Sequence, residues 1–172
     1  ANSHDIYCEE RYTTADGRRI AFLRSRNGGV QESEELWAYD LPTGQAVFVS
    51  PDIMGFPTTP LNSDIFYFIA RKGPAGRVLM RLNLKTMELD ETVDMSGCPK
   101  TRWPVCTVSP DEKYFVSNLR VNHNTWGLYR VDIARGAWEV FHEHKDICNP
   151  HPQFEPSRGQ DILVQWNRDC EL

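Results

Sequence analysis

At 172 residues, 40% hydrophobic and 25% charged, the chain has the composition of one folded domain with a sizeable core. A formal net charge of −5 excludes a general nucleic-acid binder, which needs a basic face to neutralise phosphates. No apolar run approaches the roughly 20 residues that span a bilayer, so no membrane partner is expected. The start at Ala1-Asn2-Ser3-His4, without an initiator methionine, leaves room for an upstream segment.

In chain order, the turn Thr13-Thr14-Ala15-Asp16-Gly17 leads into a strand-like run, Ile20-Ala21-Phe22-Leu23. Gly28-Gly29 reads as a hairpin tip. Leu36-Trp37-Ala38-Tyr39-Asp40-Leu41-Pro42-Thr43-Gly44 alternates apolar residues, then places Asp before a Gly turn, which is a strand entering a hairpin. Ala46-Val47-Phe48-Val49 closes this first group. The same order returns with Thr59-Pro60-Leu61-Asn62-Ser63, the strand Ile65–Ile69, and Leu79-Met80-Arg81-Leu82-Asn83-Leu84-Lys85-Thr86. It returns again with Val108-Ser109-Pro110-Asp111-Glu112, Tyr114-Phe115-Val116, Leu128-Tyr129-Arg130-Val131-Asp132-Ile133-Ala134-Arg135-Gly136 and Trp138-Glu139-Val140-Phe141. A fourth copy opens with Phe154-Glu155-Pro156-Ser157-Arg158 and Ile162-Leu163-Val164.

The turn residues Asp16, Asn62, Asp111 and Ser157 fall 46, 49 and 46 residues apart. A repeat of that length, built of four short strands without helical periodicity, is the signature of a β-propeller blade. A β-sandwich also has evenly spaced strands but does not repeat one turn signature four times. The expected fold is therefore all-β, a propeller with blades at about 4–51, 52–96 and 97–145 and an incomplete one at 146–172. Propellers close with about 4–8 blades because an open arc leaves blade faces without a neighbour. The chain is expected to be a piece of a larger ring, or to complete its ring by associating with further blades or with itself.

The five cysteines include no CxxC pair, which argues against a structural zinc site. Cys98 and Cys106 are spaced to close a small loop or to stand as buried thiols. His142-Glu143-His144 puts two imidazoles on one strand face, but two ligands are not a site, and surface histidines on an outer strand are the plainer reading. His123, in the loop Asn122–Thr125, is a lesser candidate for reaching a ligand. Trp37, Trp126, Trp138 and Trp166 read as blade core. Trp103, between Arg102 and Pro104 in a connecting loop, is placed to stack on a sugar ring.

The blade signal, Asp-Gly followed by Arg-Arg-Ile-Ala-Phe and later Leu-Trp-Ala-Tyr-Asp-Leu-Pro-Thr-Gly, resembles that of TolB-like propellers. The segment His151-Pro152-Gln153-Phe154-Glu155-Pro156-Ser157 resembles the His-x-Gln-Phe-x-Pro-Ser/Thr segment of the oligogalacturonate lyases, seven-bladed propellers that cleave uronate-containing oligosaccharides by β-elimination. The resemblance sets the chain against the N-terminal half of such a protein and implies an acidic oligosaccharide substrate, with His151 as catalytic base. It also implies a manganese ion, Mn2+, held by a histidine and a Gln/His/His cluster in later blades, beyond this chain. Where that family has His-Glu-Gly after the next strand, this chain has Trp166-Asn167-Arg168, a departure that points away from an identical substrate.

Aligning the repeats by their turns puts His151 in register with Glu10, Phe56 and Val105, at the start of each innermost strand, the one facing a propeller's channel. β-Elimination from a uronate removes the proton α to the carboxylate, so it needs a base and a cation that neutralises the carboxylate. Imidazole suits the first role and a bidentate guanidinium the second. Of Arg102, Arg120, Arg130 and Arg168, the expectation falls on Arg102 and Arg168, with Gln153 and Trp103 as further substrate-binding residues, while Arg130 reads as a solvated structural residue. The competing reading of His151 is a strand-start residue held between Pro150 and Pro152 for turn geometry. The competing reading of the whole chain is a TolB-like propeller that binds a protein or glycan without chemistry.

Overall fold

The computed structural model describes residues 2–4, 6, 10–25, 34–101 and 104–167. Its regular structure among these is β throughout, so no helix is long and apolar enough to cross a membrane. The chain forms two compact units, Ala1–Ser96 and Gly97–Leu172.

In the first unit seven strands follow one another in a single antiparallel meander: β1 (Asn2–His4), β2 (Arg19–Ser25), β3 (Glu34–Asp40), β4 (Gln45–Thr58), β5 (Ile65–Lys72), β6 (Gly76–Asn83) and β7 (Glu88–Asp94). β4 serves two groups of strands. Its first part pairs with β3 from Asp40↔Gln45 to Leu36↔Ser50, and its second with β5 at Ile53↔Ala70, Met54↔Ile69 and Thr58↔Tyr67. Between and within these parts Asp52 (φ +49°) and Gly55 (φ +73°) take left-handed backbone, which breaks the ladder and redirects the strand.

Alternation decides which side chains go inward. Ala21 and Leu23 of β2 and Leu36 and Ala38 of β3 are buried, and they meet Phe66, Phe68, Val78, Met80 and Leu82 in one core. Six consecutive residues of β5, Ile65–Ala70, are buried, the pattern of a strand covered on both faces. β7, by contrast, is a mostly exposed Glu-Leu-Asp-Glu-Thr-Val-Asp run, and its charges blunt a sheet edge against stray pairing.

The second unit holds a four-stranded sheet in the order β11-β10-β9-β8, made of β8 (Cys106–Val108), β9 (Tyr114–Asn122), β10 (Thr125–Asp132) and β11 (Trp138–His144). Beside β8 lies a short hairpin, β12 (Gln153–Phe154) and β13 (Ile162–Leu163), tied on by the Phe154 N–H donating to Thr107 Oγ1 at 3.3 Å. Phe115, Leu128, Tyr129, Val131 and Ile147 are fully buried here. Cys98 and Cys106 carry buried thiols, so the loop between them is not closed by a disulfide, whereas Cys148 is disulfide-bonded.

The repeat seen in the sequence is a repeat of hydrogen bonds. Thr14 Oγ1 accepts from the N–H groups of Arg18 and Arg19, both at 3.1 Å, and Ser109 Oγ accepts from those of Lys113 and Tyr114 at 3.1 and 2.9 Å. Each hydroxyl donates to the Asp two residues on, Asp16 at 2.7 Å and Asp111 at 2.8 Å. The hydroxyl of Thr14 holds the Asp16 carboxyl below the usual carboxylate range, and Lys113 does most of this for Asp111. At the hairpins, Asp40, Asn83 and Asp132 accept from backbone N–H groups two or three residues ahead. Gly44, Met87 and Gly136 then follow in left-handed backbone. Backbone pairing also keeps the inner positions in step. Tyr12 accepts from Ala21, Thr58 faces Tyr67 and Thr107 faces Val116, so Glu10, Phe56 and Val105 each stand two residues before an equivalent pair.

Gly17 (φ +68°) and Glu112 (φ +57°) occupy the same left-handed place in two of these turns. Nothing lies within 4 Å of a Cβ built on Gly17, so Gly17→Ala tests conformation alone. It is expected to cost about 1 kcal/mol in urea unfolding, and Glu112→Gly to gain about 0.5–1 kcal/mol. Equal midpoints for all three proteins would show that the turns do not carry this strain.

Candidate functional site

The stretch after β11 is fixed by its apolar residues. Ile147 and Cys148 are buried, with Cys148 held covalently, and Pro150 and Pro152 are buried beside half-buried His151. A proline offers a carbonyl and no N–H, and the Pro150 carbonyl accepts from the Gln165 N–H at 2.6 Å. The Asn167 N–H donates to the Asp146 carbonyl at 2.6 Å, so residues 165–167 run back alongside 146–150. The Asn167 side chain closes the pair by donating to the Asn149 carbonyl at 3.1 Å, and Gln165 Nε2 donates to Asn167 Oδ1 at 2.8 Å.

His151 sits at the centre of this arrangement with φ +40°. Left-handed backbone is costly for a side chain with a Cβ, and the residue before a proline is normally extended. The surrounding structure therefore imposes this conformation, and such imposed strain concentrates at functional sites. Asn149 Nδ2 lies 2.6 Å from His151 Nε2. With the amide nitrogen donating, Nε2 accepts and the neutral ring carries its proton on Nδ1. Between Gln165 and Asn167, Trp166 is half exposed and lies 4.2 Å from the His144 ring at 37°, and His144 Nδ1 accepts from the Asp146 N–H at 3.1 Å.

Beyond β12 the Glu155 carboxylate collects the Ser157 hydroxyl and the N–H groups of Arg158 (2.8 Å), Ser157 (2.7 Å) and Gly159 (3.2 Å). These donors, the Ser157 hydroxyl first, pull its pKa down to about 2. This fourth turn is one residue longer than its counterparts, Glu155 donating to Asp161 where Ser109 donates to Tyr114. A Cβ on Gly159 would come within 2.7 Å of the Pro110 ring, so glycine lets the fourth turn rest on the third.

Of the residues proposed from sequence, Arg102, Trp103 and Arg168 lie outside the described residues, as does the Gly28-Gly29 tip. Gln153 is exposed in β12, opposite Leu163. Arg120 donates to the carbonyls of Asn122 and His123 and covers Trp126, and Arg130 pairs with Glu139 over the Tyr114 ring. His142 and His144 are half-buried in β11, and His144 turns to Trp166. Trp138 and Trp166, read as core, are 43% and 50% exposed, and Trp37 and Trp126 are intermediate. Wide rings on outer or terminal strands find too few neighbours to be enclosed. Asn149 and the His144–Trp166 contact were not singled out from sequence. The Asn-Pro-His-Pro run pointed to the first, and nothing local signalled the second.

The repeated antiparallel meanders define a β-propeller protein. No family model and no curated protein matches the sequence. Among solved structures the chain is similar to an oligogalacturonate lyase from Vibrio parahaemolyticus, with TM-score 0.66 and 19% identity over 98% of this chain and 48% of that one. It is similar to an oligogalacturonate lyase in complex with manganese, at 0.62 and 20% over 90% and 44%, and to TolB from Acinetobacter baumannii, at 0.56 and 16% over 92% and 38%. The chain thus spans less than half the length of each of these structures, and the likeness is one of fold. As to metal, no group of three or more His, Cys, Asp or Glu among the described residues is arranged to hold an ion.

The Glu155 carboxyl titrates lower in the folded chain than the ordinary value near 4.5. Its stabilisation is therefore complete above about pH 4.5 and lost as pH falls towards 2. The difference in urea midpoint between wild type and Glu155→Gln is expected to stay constant from pH 7 to 5 and to shrink steadily below. A difference independent of pH would show that the carboxylate charge is not what the turn uses.

Proposed function

We propose that this chain carries the base of a propeller lyase that cleaves uronate-containing, oligogalacturonate-like oligosaccharides by β-elimination. One observation supports this most: an imidazole in hydrogen-bond contact with Asn149, at a strained backbone position two residues before β12, in a fold similar to oligogalacturonate lyase structures. His151 takes the proton α to the substrate carboxylate, and the electron pair left behind expels the leaving sugar oxygen from the β carbon. Asn149 is a positioning residue. With its amide turned over, Oδ1 accepts from Nε2–H and the basic lone pair moves to Nδ1. Arg102, Arg168, Gln153 and Trp103 complete the substrate-binding set in this reading, with the arginines neutralising the carboxylate. A manganese ion, present in one of the similar structures, takes its ligands from outside this chain. The likeness to TolB supports a second reading, a propeller that binds a protein or glycan without turnover.

Incubation with oligogalacturonate is expected to yield unsaturated product, followed by its ultraviolet absorbance. His151→Ala is expected to slow it about 10²–10⁴-fold, the usual contribution of a general base. An unchanged rate in that variant would remove the role given to His151, and binding without product in the wild type would favour the second reading.

The partner expected is a set of further blades or a second copy of the chain. Leu163 is 69% exposed on β13 and Phe141 39% on β11, and Phe141 lines a groove of about 420 Å³ between the hairpin and the four-stranded sheet. Light scattering is expected to show the isolated chain self-associating, and a monodisperse monomer at high concentration would count against it.

A further inference from the structure

The register that aligns His151 with Glu10, Phe56 and Val105 puts Arg11, Pro57, Cys106 and Pro152 in correspondence one residue on. The last three are buried and carry no charge. Arg11 puts a permanent cation where the other repeats put a small uncharged group. Its Nε and Nη2 are closed to solvent and have no hydrogen-bond partner. The adjacent acid, Glu10, is engaged elsewhere, accepting from Thr58 Oγ1 at 2.9 Å and from the Thr59 N–H at 3.2 Å.

These two nitrogens are not an arbitrary pair. Nε–H and the neighbouring Nη2–H point the same way along one edge of the guanidinium, the fork whose parallel donors match the two oxygens of a carboxylate. A guanidinium cannot shed its charge to escape burial. Arg11 is half-buried, and two guanidinium donors closed to solvent and unmet cost stability unless an anion meets them. Nothing in the strand pairing requires the charge, since Pro57, Cys106 and Pro152 serve at the same place.

We propose that Arg11 is a carboxylate-binding residue, and that its Nε/Nη2 edge takes the carboxylate of a small ligand, a uronic sugar or a free organic acid. The inference does not rest on the lyase reading, because it concerns recognition of an anion and not its conversion. Nothing in the sequence marks Arg11, because a single sequence gives no sign that an arginine lacks a counter-ion.

The test uses the 172-residue chain, with thermal unfolding followed in sodium acetate, sodium galacturonate, neutral galactose, sodium sulfate and sodium chloride, the salts at matched ionic strength. Both carboxylates are expected to raise Tm over chloride, by about 4 °C at ten times Kd. Galactose and sulfate are expected to leave it unchanged. A larger effect of galacturonate than of acetate identifies a uronic sugar as the source, and equal effects identify a free acid. Arg11→Met is expected to remove the carboxylate shift and, without ligand, to melt no lower than wild type, because an apolar group of similar length replaces an unmet charge. Arg11→Lys is expected to keep at most part of the shift. A carboxylate shift that persists in Arg11→Met, its absence in the wild type, an equal shift with sulfate, or a lower ligand-free Tm for Arg11→Met would each overturn the proposal. An Arg11-dependent shift in a chain that makes no unsaturated product leaves it standing and removes only the lyase reading.

Discussion

A meander of short strands holds its shape only if its reversals are fixed, and at six of the described turns a side-chain oxygen does this by taking up backbone N–H groups. Thr14, Ser109, Asp40, Asn83, Asp132 and Glu155 all do this within six residues of their own position. The energetic reason is local. A turn leaves N–H groups that no neighbouring strand can satisfy, and an oxygen one or two bonds from the backbone reaches them at little cost in side-chain entropy. With reversals set this way, alternation alone can sort side chains between core and solvent, and a one-residue slip would turn Leu36 and Ala38 outward.

Because these turns depend on residue type at fixed spacing, the fold was legible in the sequence. Asp16, Asp40, Asp111 and Asp132 announce their turns directly, and the runs after them alternate as strands should. Legibility fails where the determinant is not local. That Cys98 and Cys106 remain thiols is not something their spacing reveals. Trp138 and Trp166 read as core because large rings usually are, yet burial depends on whether a neighbouring strand covers them. The length of the fourth turn also escaped notice, since Glu155 closes it with a reach that Ser109 lacks.

The candidate site was half legible. His151 stood out through its segment, and the two prolines beside it signalled constraint. What the sequence did not supply was the work done by Asn149, whose amide meets the ring at Nε2, or by Asn167, which holds the segment carrying Trp166 against the histidine's own segment. Hydrogen bonds between residues 18 apart depend on how two segments lie, and no motif of contiguous residues encodes them. The strain at His151 belongs to the same category. A left-handed histidine before proline is a cost borne by the fold, and only the anchoring by Ile147, Cys148 and Pro150 explains how it persists.

Repetition supplies its own control for judging such costs. Met87 takes left-handed backbone where the other hairpins have Gly44 and Gly136, but its side chain packs on the core and returns stability to the fold. His151 and Arg11 depart from their counterparts without a return of that kind. One is a strained imidazole where the other repeats have Glu10, Phe56 and Val105, and the other is a half-buried cation with two donors closed to solvent where they have Pro57, Cys106 and Pro152. A propeller blade tolerates many side chains at these positions, since backbone pairing alone sets the register. Residues that cost stability there, at sites where other side chains serve, are where a functional role is to be sought, and the two groups here, an imidazole and a forked cation, are suited to an acidic ligand.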